Sequence, residues 1–413
     1  MMPSNTSIEK PRVGFSERLT HRANLKHTRY GWLRLTPAYS VHLVVELLRK
    51  HGPGVVLDPF CGTGTTALAC AQQGHQADTI DINPFLVWLA RTKCSAYGAL
   101  DLEHFVQSSS RILASALDEQ VQAWSPPIHE IEKWWDSETL RFLGRAMAQT
   151  QALAGDSPAT DLLKLVFCRV MIESANVSFG HQSMSFKAPQ GPWLFCDRKS
   201  DFAANWVRAT KDILAAAQSP ILAEARVMLV DARTLNEVLA HDHYDLVITS
   251  PPYPNRMSYI RELRPYMYWL GFLTTGREAG ELDWESIGGT WGCATSNLQR
   301  WSPKGSPPVP FDDFEPIIAA IQPHSRLLSA YVDKYFRDMG MHIRAVYGVV
   351  KRGGKVNYIV GNSKFYDVIL PVEQIFAAMF RDAGFENVSI EALRKRTSKK
   401  ELYEFLVSGT KPS

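Results

Sequence analysis

Residues 55–66, Val-Val-Leu-Asp-Pro-Phe-Cys-Gly-Thr-Gly-Thr-Thr, decide the fold that this sequence is expected to adopt. A short β-branched run ends in an acid and a turn with two glycines, and a helix-like stretch, 67–73, follows the turn. A second strand is expected over 77–80, ends at Asp81, and gives way to another helix. Strands that alternate with helices in this way predict a parallel sheet with right-handed crossover connections.

The same alternation organises most of the remaining chain, but a long helix-rich segment interrupts it. Strands are expected at 226–230, 244–249, 344–351, 355–360, 387–391 and 402–408, and helices at 35–50, 313–340 and 371–383. Few strand signals occur between 96 and 220, which predicts a helical insertion. The predicted organisation is an arm at 1–28, one α/β domain at 29–95 and 221–413, the insertion at 96–220, and a long loop rich in Gly, Ser, Pro and Trp at 275–310.

The composition excludes several classes of protein. Of 413 residues, 45% are hydrophobic and 21% are charged, as in a globular protein rather than a disordered chain or a coiled coil. No apolar run approaches the ~18 residues of a membrane span, and the first residues lack an apolar signal core, so we expect a cytoplasmic protein with no membrane association. The net charge of +3 neither requires nor excludes a nucleic-acid partner. Six cysteines without a Cys-x-x-Cys pair argue against metal sites and disulfides.

The turn after the first strand is expected to bind a ligand, because ligands of open α/β sheets lie at the carboxyl ends of the strands. Its spacing is neither Gly-x-Gly-x-x-Gly nor Gly-x-x-x-x-Gly-Lys, which disfavours a dinucleotide or phosphate site. Asp58 would repel phosphate and attract a cationic or hydroxyl-rich ligand, and Asp81 ends the second strand, where an acid can bind ribose hydroxyls. S-adenosylmethionine fits these requirements, and an ordinary βα turn with two capping acids is the alternative.

The second informative stretch is 245–255, Asp-Leu-Val-Ile-Thr-Ser-Pro-Pro-Tyr-Pro-Asn. The prolines cannot continue a strand, so the chain should leave the sheet as a stiff loop whose carbonyl groups are free to accept hydrogen bonds. An exocyclic amine on a planar ring needs such acceptors, and Tyr253 is suited to stack on the ring. A base in a duplex would have to be flipped out to reach this loop. A proline-rich turn around a buried tyrosine is the alternative.

Together the two stretches resemble the amino-methylating DNA methyltransferases. Residues 58–65 resemble the first cofactor motif of that family, Asp81 with Asn83 the second, and Asp231 the acid that contacts the adenine of the cofactor. Residues 250–253, Ser-Pro-Pro-Tyr, resemble the catalytic tetrapeptide, and the serine is similar to that of the cytosine-N4 members. The resemblance implies an α/β, Rossmann-like class I methyltransferase fold with a mostly parallel sheet and flanking helices, in addition to the helical insertion.

The resemblance also implies S-adenosyl-L-methionine as the cofactor, S-adenosyl-L-homocysteine as its product, and a set of site residues. The cofactor-binding residues are expected to be Thr36, Pro37, Tyr39, Asp58, Pro59, Phe60, Gly62, Gly64, Thr65, Asp81, Ile82, Asn83, Asp231, Ala232 and Ser250. The catalytic residues are expected to be Ser250, Pro251, Pro252 and Tyr253. Ser250 and the Pro251 carbonyl would accept the amine protons, and Tyr253 would hold the flipped base during an in-line methyl transfer.

Double-stranded DNA is the expected partner, with a cognate restriction endonuclease or a defence-system subunit as a further candidate. Phosphate contacts are expected from Arg256, Arg261 and Arg264 after the catalytic loop and from Arg394, Lys395, Arg396, Lys399 and Lys400 near the chain end. A solvated charged face is the alternative for the terminal cluster. DNA contacts are also expected from 176–187 in the insertion and from Trp284, Trp291 and Trp301 in the 275–310 loop, with packing into the core as the alternative.

The order of the motifs departs from common layouts of the family, because the cofactor motifs precede the catalytic motif without permutation and the insertion lies before Asp231. Adenine N6 or an RNA base as the target is the first alternative to cytosine N4. A catalytically silent nucleic-acid-binding subunit and a small-molecule N-methyltransferase are the others. Methylation at cytosine C5 would require a Pro-Cys dipeptide, which the sequence does not contain.

Overall fold

A seven-stranded sheet forms the centre of the protein, and helices pack on both of its faces. The computed structural model describes residues 24, 28–33, 35, 39–153, 157–178, 185–186, 198–396 and 401–413. The strands are β1 Val56–Asp58, β2 Ala77–Asp81, β3 Val177–Ser178, β4 Ser185–Phe186, β5 Ala225–Leu229, β6 Tyr244–Thr249, β7 Val350–Gly361, β8 Ser363–Phe365, β9 Val368–Leu370, β10 Glu386–Lys395 and β11 Tyr403–Thr410.

The strand order of the main sheet is β10-β11-β7-β6-β1-β2-β5. The five strands from β7 to β5 are parallel, and β11 pairs antiparallel with both β7 and β10. The parallel part has the order of a doubly wound sheet, in which the chain moves outward from β1 to β5 and then returns to the other side of β1 with β6. The predicted Rossmann-like fold with a mostly parallel sheet is therefore confirmed. The two remaining strand pairs, β3–β4 and β8–β9, form separate small ladders.

The described residues contain thirteen α-helices. None of them is long and apolar enough to cross a membrane. They are α1 Val41–His51, α2 Thr65–Gln73, α3 Pro84–Cys94, α4 Ala99–Leu117, α5 Ser137–Ala152, α6 Pro158–Glu173, α7 Arg198–Ala217, α8 Tyr259–Trp269, α9 Gly276–Glu285, α10 Cys293–Arg300, α11 Phe314–Ile321, α12 Arg326–Val349 and α13 Val372–Ala383. Four of them, α4 to α7, make up most of the described part of the 96–220 segment, which agrees with the predicted helical character.

The side chains of the central strands alternate between two apolar layers. Val56 and Leu246 pack with α1 on one face, whereas Leu57 and Val247 pack with α12 and α13 on the other. The helices of the insertion belong to a third cluster, in which Trp269 of α8 lies against Trp124, Trp135 and Phe167. The insertion therefore shares its core with α8, the helix that follows the 250–253 segment.

The predicted long loop at 275–310 is wrong, because this segment contains α9 and α10. The side chain of Thr275 caps α9 by accepting a hydrogen bond from the amide of Glu278. Ala279 in α9 and Leu298 in α10 are buried, so tertiary packing outweighs the high content of glycine and polar residues.

Three other boundaries also differ from the prediction. The expected strand at 344–351 is mostly the end of α12, whose buried Ile343, Val346 and Val349 repeat at helical spacing, and β7 instead runs without interruption from 350 to 361. The expected helix at 313–340 is divided into α11 and α12 by the turn at Pro323. The helix expected from residue 35 begins at Val41, and the earlier positions 36–38 lie outside the described residues.

Arg29 ties three distant parts of the chain together. Its side chain is 1% exposed and donates hydrogen bonds to five backbone carbonyls, those of Lys93, Ser95, Ala216, Ala217 and Ser219. These carbonyls lie at the ends of α3 and α7, where the last turns of a helix leave acceptors without a partner. The guanidinium group thus fixes the insertion against the α/β domain.

We expect Arg29→Lys to lower the free energy of unfolding by about 3 kcal/mol, because one ammonium group cannot reach five carbonyls and leaves several of them buried without a donor. Urea unfolding followed by circular dichroism measures this change. Arg111→Lys on the exposed side of α4 is the matched control and should change stability by less than about 0.5 kcal/mol. Equal stabilities for the two variants would contradict the role of Arg29.

Candidate active site

A cavity of about 380 Å³ lies beyond the carboxyl ends of the central strands. Its size is within the ~300–1,000 Å³ of small-molecule sites. The segments after β1, β2, β5 and β6 contribute to its wall, so the two stretches singled out in the sequence meet in one place. The lining from these segments consists of Pro59, Phe60, Cys61, Gly62, Asp81, Ile82, Asn83, Val230, Asp231, Ala232, Ser250, Pro251, Pro252 and Tyr253, and Tyr39 before α1 adds to it.

The ends of β1 and β6 are joined by a buried hydrogen bond. The hydroxyl of Thr249 donates to Oδ1 of Asp58 at 2.6 Å, and the amide of Phe60 donates to the same oxygen at 3.0 Å. Asp58 is 0% exposed, and burial raises the pKa of its carboxyl group to about 6. Oδ2 of Asp58 has no hydrogen-bond partner among the described residues. This carboxyl group therefore holds the two strand ends together from beneath the cavity.

Several residues expected to bind the cofactor are not part of the cavity lining. Asp58, Gly64 and Thr65 are absent from it, and Thr36 and Pro37 lie outside the described residues. Gly64 has φ of +81°, and a Cβ atom there would lie 2.8 Å from Cβ of Ala90. The absence of a side chain at Gly64 thus allows the close approach of α2 and α3.

Asp81 is one of the acids that line the cavity. Its Oδ2 accepts a hydrogen bond from the amide of Gly62, and its Oδ1 accepts one from the amide of Asn83, both at 2.9 Å. Burial raises the pKa of Asp81 to about 6. Each oxygen of a carboxylate has two lone pairs, so both oxygens can accept a further hydrogen bond from a ligand hydroxyl.

Asp231 also lines the cavity, but its carboxylate is already occupied. Arg233 donates to Oδ1 from its amide at 2.8 Å and from Nε at 3.0 Å, and to Oδ2 from Nη2 at 2.6 Å. The guanidinium group keeps the pKa of Asp231 below its ordinary value. Nη2 also donates to the carbonyl of Glu285. The carboxylate of Asp231, which is expected to contact the adenine of the cofactor, is thus held by Arg233, a residue that the sequence interpretation missed.

His342 of α12 supports the same corner of the cavity. Its ring nitrogens contact the carbonyl of Ala232 at 2.9 Å and the hydroxyl of Tyr358 at 2.8 Å, and its ring lies edge-on to Phe60. Burial lowers the pKa of His342 to about 4, so the imidazole is neutral at physiological pH. It therefore positions two lining residues without adding charge.

Residues from the α9–α10 region close the cavity. Glu285, Ser286 and Ile287 line it directly after α9, and Met257, Tyr259 and Ile260 line it at the start of α8. Asp283, which is 1% exposed, accepts hydrogen bonds from the hydroxyl of Ser258 and the amide of Trp291 and so joins these two segments. The sequence interpretation missed this wall because it treated 275–310 as a loop.

The segment Ser250–Tyr253 is held firmly in the wall of the cavity. The hydroxyl of Tyr335 in α12 donates to the carbonyl of Pro252 at 2.7 Å. Burial raises the pKa of Tyr253, while a hydrogen bond with Ser250 acts in the opposite direction. The phenol is therefore neutral, and the four residues keep a defined shape that can accept hydrogen bonds from a planar amine.

The three arginines after this segment have different environments. Arg256 and Arg261 are exposed and line a groove of about 320 Å³ beside the cavity, where they are available to an anionic partner. Arg256 has φ of +63°, a left-handed conformation that is uncommon outside glycine. Arg264 instead lies between the rings of Trp134 and Trp291, 5.5 and 5.4 Å from their centroids. The guanidinium group of Arg264, which is expected to contact phosphate, is thus packed against two aromatic rings within the protein.

The predicted basic cluster near the chain end belongs to the β10–β11 hairpin. Arg394 donates two hydrogen bonds of 2.7 Å to the carboxylate of Glu404. Arg396 lies over the ring of Tyr253, with 5.1 Å between Cζ and the ring centroid. Both arginines and Glu404 line the cavity, whereas Lys395 faces Tyr403. Lys399 and Lys400 lie outside the described residues.

The other aromatic residues expected to contact DNA are mostly engaged within the protein. Lys334 lies 4.7 Å from the ring centroid of Trp284, and Trp301 is half-buried. In the insertion, Phe186 is exposed but rests edge-on against Trp134. Most of 176–187 lies outside the described residues. In the described parts of the chain, no group of His, Cys, Asp or Glu is arranged to hold a metal ion.

The chain matches a family model and several curated proteins. The family model is described as DNA methylase, of the N6 and N4 methyltransferases, and it matches residues 34–91. Type II methyltransferase M.AvaI of Nostoc sp. is 20% identical over 422 residues, which cover 89% of this chain and 81% of the relative. Type II methyltransferase M.BsoBI of Geobacillus stearothermophilus is 20% identical over 448 residues, which cover 92% and 82%. These matches support the resemblance to the amino-methylating DNA methyltransferases.

Two solved structures are also similar over most of the chain. A SAM-dependent methyltransferase from Methanosarcina mazei is 10% identical, with a TM-score of 0.31, and covers 89% of this chain and 97% of its own. The rRNA methyltransferase aviRa from Streptomyces viridochromogenes is 14% identical, with a TM-score of 0.28, and covers 91% and 87%.

We expect Thr249→Val to reduce stability more at pH 8 than at pH 5. The Thr249 hydroxyl stabilises the ionised Asp58, so its removal raises the folded pKa of Asp58 further above the unfolded value, and the added cost appears only where the carboxyl is ionised. The loss should be about 2 kcal/mol at pH 8 and smaller at pH 5.

Urea unfolding at the two pH values measures the difference. Thr79→Val is the matched control, since Thr79 is buried but donates to the thiol of Cys61 and to a backbone carbonyl rather than to a carboxylate. Its cost should not change between pH 5 and pH 8. A pH-independent cost for Thr249→Val would show that Asp58 is not the group it stabilises.

Proposed function

We propose that this chain, a relative of the amino-methylating DNA methyltransferases, transfers a methyl group from S-adenosyl-L-methionine to the exocyclic amine of a flipped base in a specific sequence of double-stranded DNA. Cytosine N4 is the preferred target. The observation that carries the proposal is the single cavity that the glycine turn, Asp81 and the segment Ser250–Tyr253 share. The curated relatives are Type II methyltransferases, which supports the same activity.

The residues of the cavity fit S-adenosyl-L-methionine. The two carboxylate oxygens of Asp81 can accept hydrogen bonds from the ribose hydroxyls. The amides of Gly62 and Asn83 hold this carboxylate in place. The apolar side chains of Phe60, Ile82 and Ile287 would flank the adenine. When bound, the cofactor supplies an electrophilic methyl group.

The protein contributes placement and electrostatics rather than a covalent intermediate. Ser250 and the carbonyl of Pro251 accept hydrogen bonds from the amine of the base and direct its lone pair toward the methyl group. Tyr253 stacks on the base, and Tyr335 keeps the loop rigid through Pro252. Cys61 takes no part as a nucleophile, because burial raises the pKa of its thiol well above the ordinary value.

Cytosine N4 is preferred over adenine N6 because a serine opens the tetrapeptide, as in the cytosine-N4 members that the sequence resembles. Arg256 and Arg261 supply phosphate contacts from the groove beside the cavity. The enzyme would methylate DNA in the cytoplasm. A restriction endonuclease of the same specificity is the partner that the names of the Type II relatives favour.

Product analysis tests the proposal. The full chain is incubated with labelled S-adenosyl-L-methionine and PCR-amplified genomic DNA, which carries mixed sequence and no modified bases, and the DNA is digested to nucleosides for mass spectrometry. N4-methylcytosine is the expected product. N6-methyladenine would retain the activity and correct the base. Methylation of an added RNA alone would transfer the activity to RNA, and the absence of any methylated nucleoside would argue for a silent binding subunit or a small-molecule substrate.

We expect Ser250→Ala to lower kcat about 100-fold, since it removes an acceptor that acts on the amine during transfer. Its Kd for S-adenosyl-L-methionine should stay near the wild-type value, measured by titration calorimetry. Ser110→Ala on the exposed face of α4 is the matched control and should affect neither quantity. Equal losses of kcat and cofactor affinity in Ser250→Ala would contradict the assigned division of roles.

We expect cofactor affinity to weaken as the pH falls through about 6. Because the folded pKa of Asp81 is raised to about 6, its carboxylate is ionised above this pH and accepts the ribose hydroxyls, whereas below it a proton competes for the same oxygens. The Kd measured by calorimetry should be constant from pH 7 to 8 and rise by up to about tenfold per unit below pH 6. Asp81→Asn should bind weakly and lose this dependence, and a flat wild-type profile from pH 5 to 8 would exclude Asp81 as the titrating group.

A further inference from the structure

The wall of the cavity on one side of Ser250 is charged. In the sheet, β1, β2 and β5 lie on one side of β6, and β7, β11 and β10 lie on the other. The first group carries the residues expected to bind the cofactor, and the second group brings Arg394, Arg396 and Glu404 into the same cavity. Ser250 follows the end of β6. The amine that accepts the methyl group at Ser250 would therefore have the residues expected to bind the cofactor on one side and this charged wall on the other.

The two arginines of this wall differ in their partners. Arg394 is neutralised by Glu404, with both side chains less than 15% exposed. Arg396 has no carboxylate within ion-pair distance among the described residues, and Nη1 of its guanidinium group donates a hydrogen bond to the carbonyl of Asn362 at 3.1 Å. Among the described residues, its Nε and Nη2 have no hydrogen-bond acceptor and are available as donors. A half-buried cation that lines the cavity with such donors is suited to recognise a ligand.

Gly361 leaves the space that this arrangement requires. A Cβ atom at Gly361 would lie 2.9 Å from Nη1 of Arg396 and 2.9 Å from Cε2 of Tyr253. The guanidinium group lies over the face of the Tyr253 ring, with 5.1 Å between Cζ and the centroid. The guanidinium group thus covers part of this face of Tyr253, and a base stacked on the remaining part would have its edge beside the guanidinium donors.

We propose that Arg396 recognises the flipped base as cytosine by donating hydrogen bonds to N3 and O2; this inference rests on the proposed function. On cytosine, the N4 amine is followed along one edge by two acceptors, N3 and O2. On adenine, the N6 amine is followed by the acceptor N1 and then by a carbon that carries hydrogen. The fixed fork of a guanidinium group matches two adjacent acceptors and cannot be satisfied by one. Arg396 is therefore the residue that favours cytosine at this site.

The test uses the full chain, labelled S-adenosyl-L-methionine and PCR-amplified genomic DNA. Arg396→Met removes the fork, Arg396→Lys keeps the charge without the fork, and Arg381→Met removes an equal charge from the exposed side of the neighbouring α13. Three quantities are measured for each protein. They are kcat/KM for each methylated nucleoside, the calorimetric Kd for the cofactor, and the dependence of kcat/KM on salt.

We expect Arg396→Met to lower kcat/KM for N4-methylcytosine about 100-fold, with a cofactor Kd and a salt dependence like those of the wild type. Arg396→Lys should recover less than about a tenth of the lost rate, because a point charge does not replace two parallel donors. Arg381→Met should behave as the wild type. An unchanged cofactor Kd shows that the variant is folded and that its defect lies on the side of the base.

Three outcomes would overturn the assignment. The first is N4-methylcytosine formation by Arg396→Met at close to the wild-type rate. The second is an equal loss of cofactor affinity, which would indicate a structural role. The third is a salt slope smaller by about one with kcat unchanged, which is the signature of a phosphate contact. Wild-type formation of N6-methyladenine would overturn cytosine recognition alone, whereas the absence of any methylated nucleoside would overturn the proposed function with it.

Discussion

The adjacency of β1 and β6 is the constraint on which the rest of the site depends. The chain leaves β1 in one direction through β2 and β5 and returns to its other side with β6, so the loops after β1 and β6 diverge and leave a crevice between them. The buried hydrogen bond from Thr249 to Asp58 holds the two strand ends at a fixed separation. Every residue proposed to bind the cofactor or the base is placed relative to this junction.

The two acids at this junction, Asp58 and Asp81, lower the free energy of unfolding at neutral pH. Burial raises the pKa values of Asp58 and Asp81 to about 6, above their unfolded values. Their contribution to stability is therefore most favourable below about pH 4 and is lost as the pH rises through 6. Two ionisable groups with raised pKa values beneath and beside one cavity are a feature of binding and catalytic sites.

The sequence predicts those parts of the site that depend on local pattern. Strand ends followed by glycine or proline are visible in one dimension, so Asp81 and the segment Ser250–Tyr253 could be assigned to one edge of a parallel sheet. The sequence did not reveal which side chains contact one another. Arg233 captures the Asp231 carboxylate only two residues away, which the pattern of strand ends does not reveal. Arg264 packs between two tryptophans that are distant from it in sequence. The α9–α10 wall was missed because its helices form through burial rather than through intrinsic propensity.

The charges around the cavity are arranged in the order that methyl transfer to an amine requires. Asp231 is neutralised by Arg233, whereas Asp81 has no arginine or lysine partner within the described residues. Arg394 is neutralised by Glu404, whereas Arg396 on the opposite flank has no carboxylate partner among the described residues. A positively charged methyl donor is thus favoured on one side of Ser250, and a base that offers acceptors is favoured on the other. The ion pairs Arg233–Asp231 and Arg394–Glu404 leave two sites of opposite charge within one cavity. The methyl donor and the base would thus approach Ser250 from different directions.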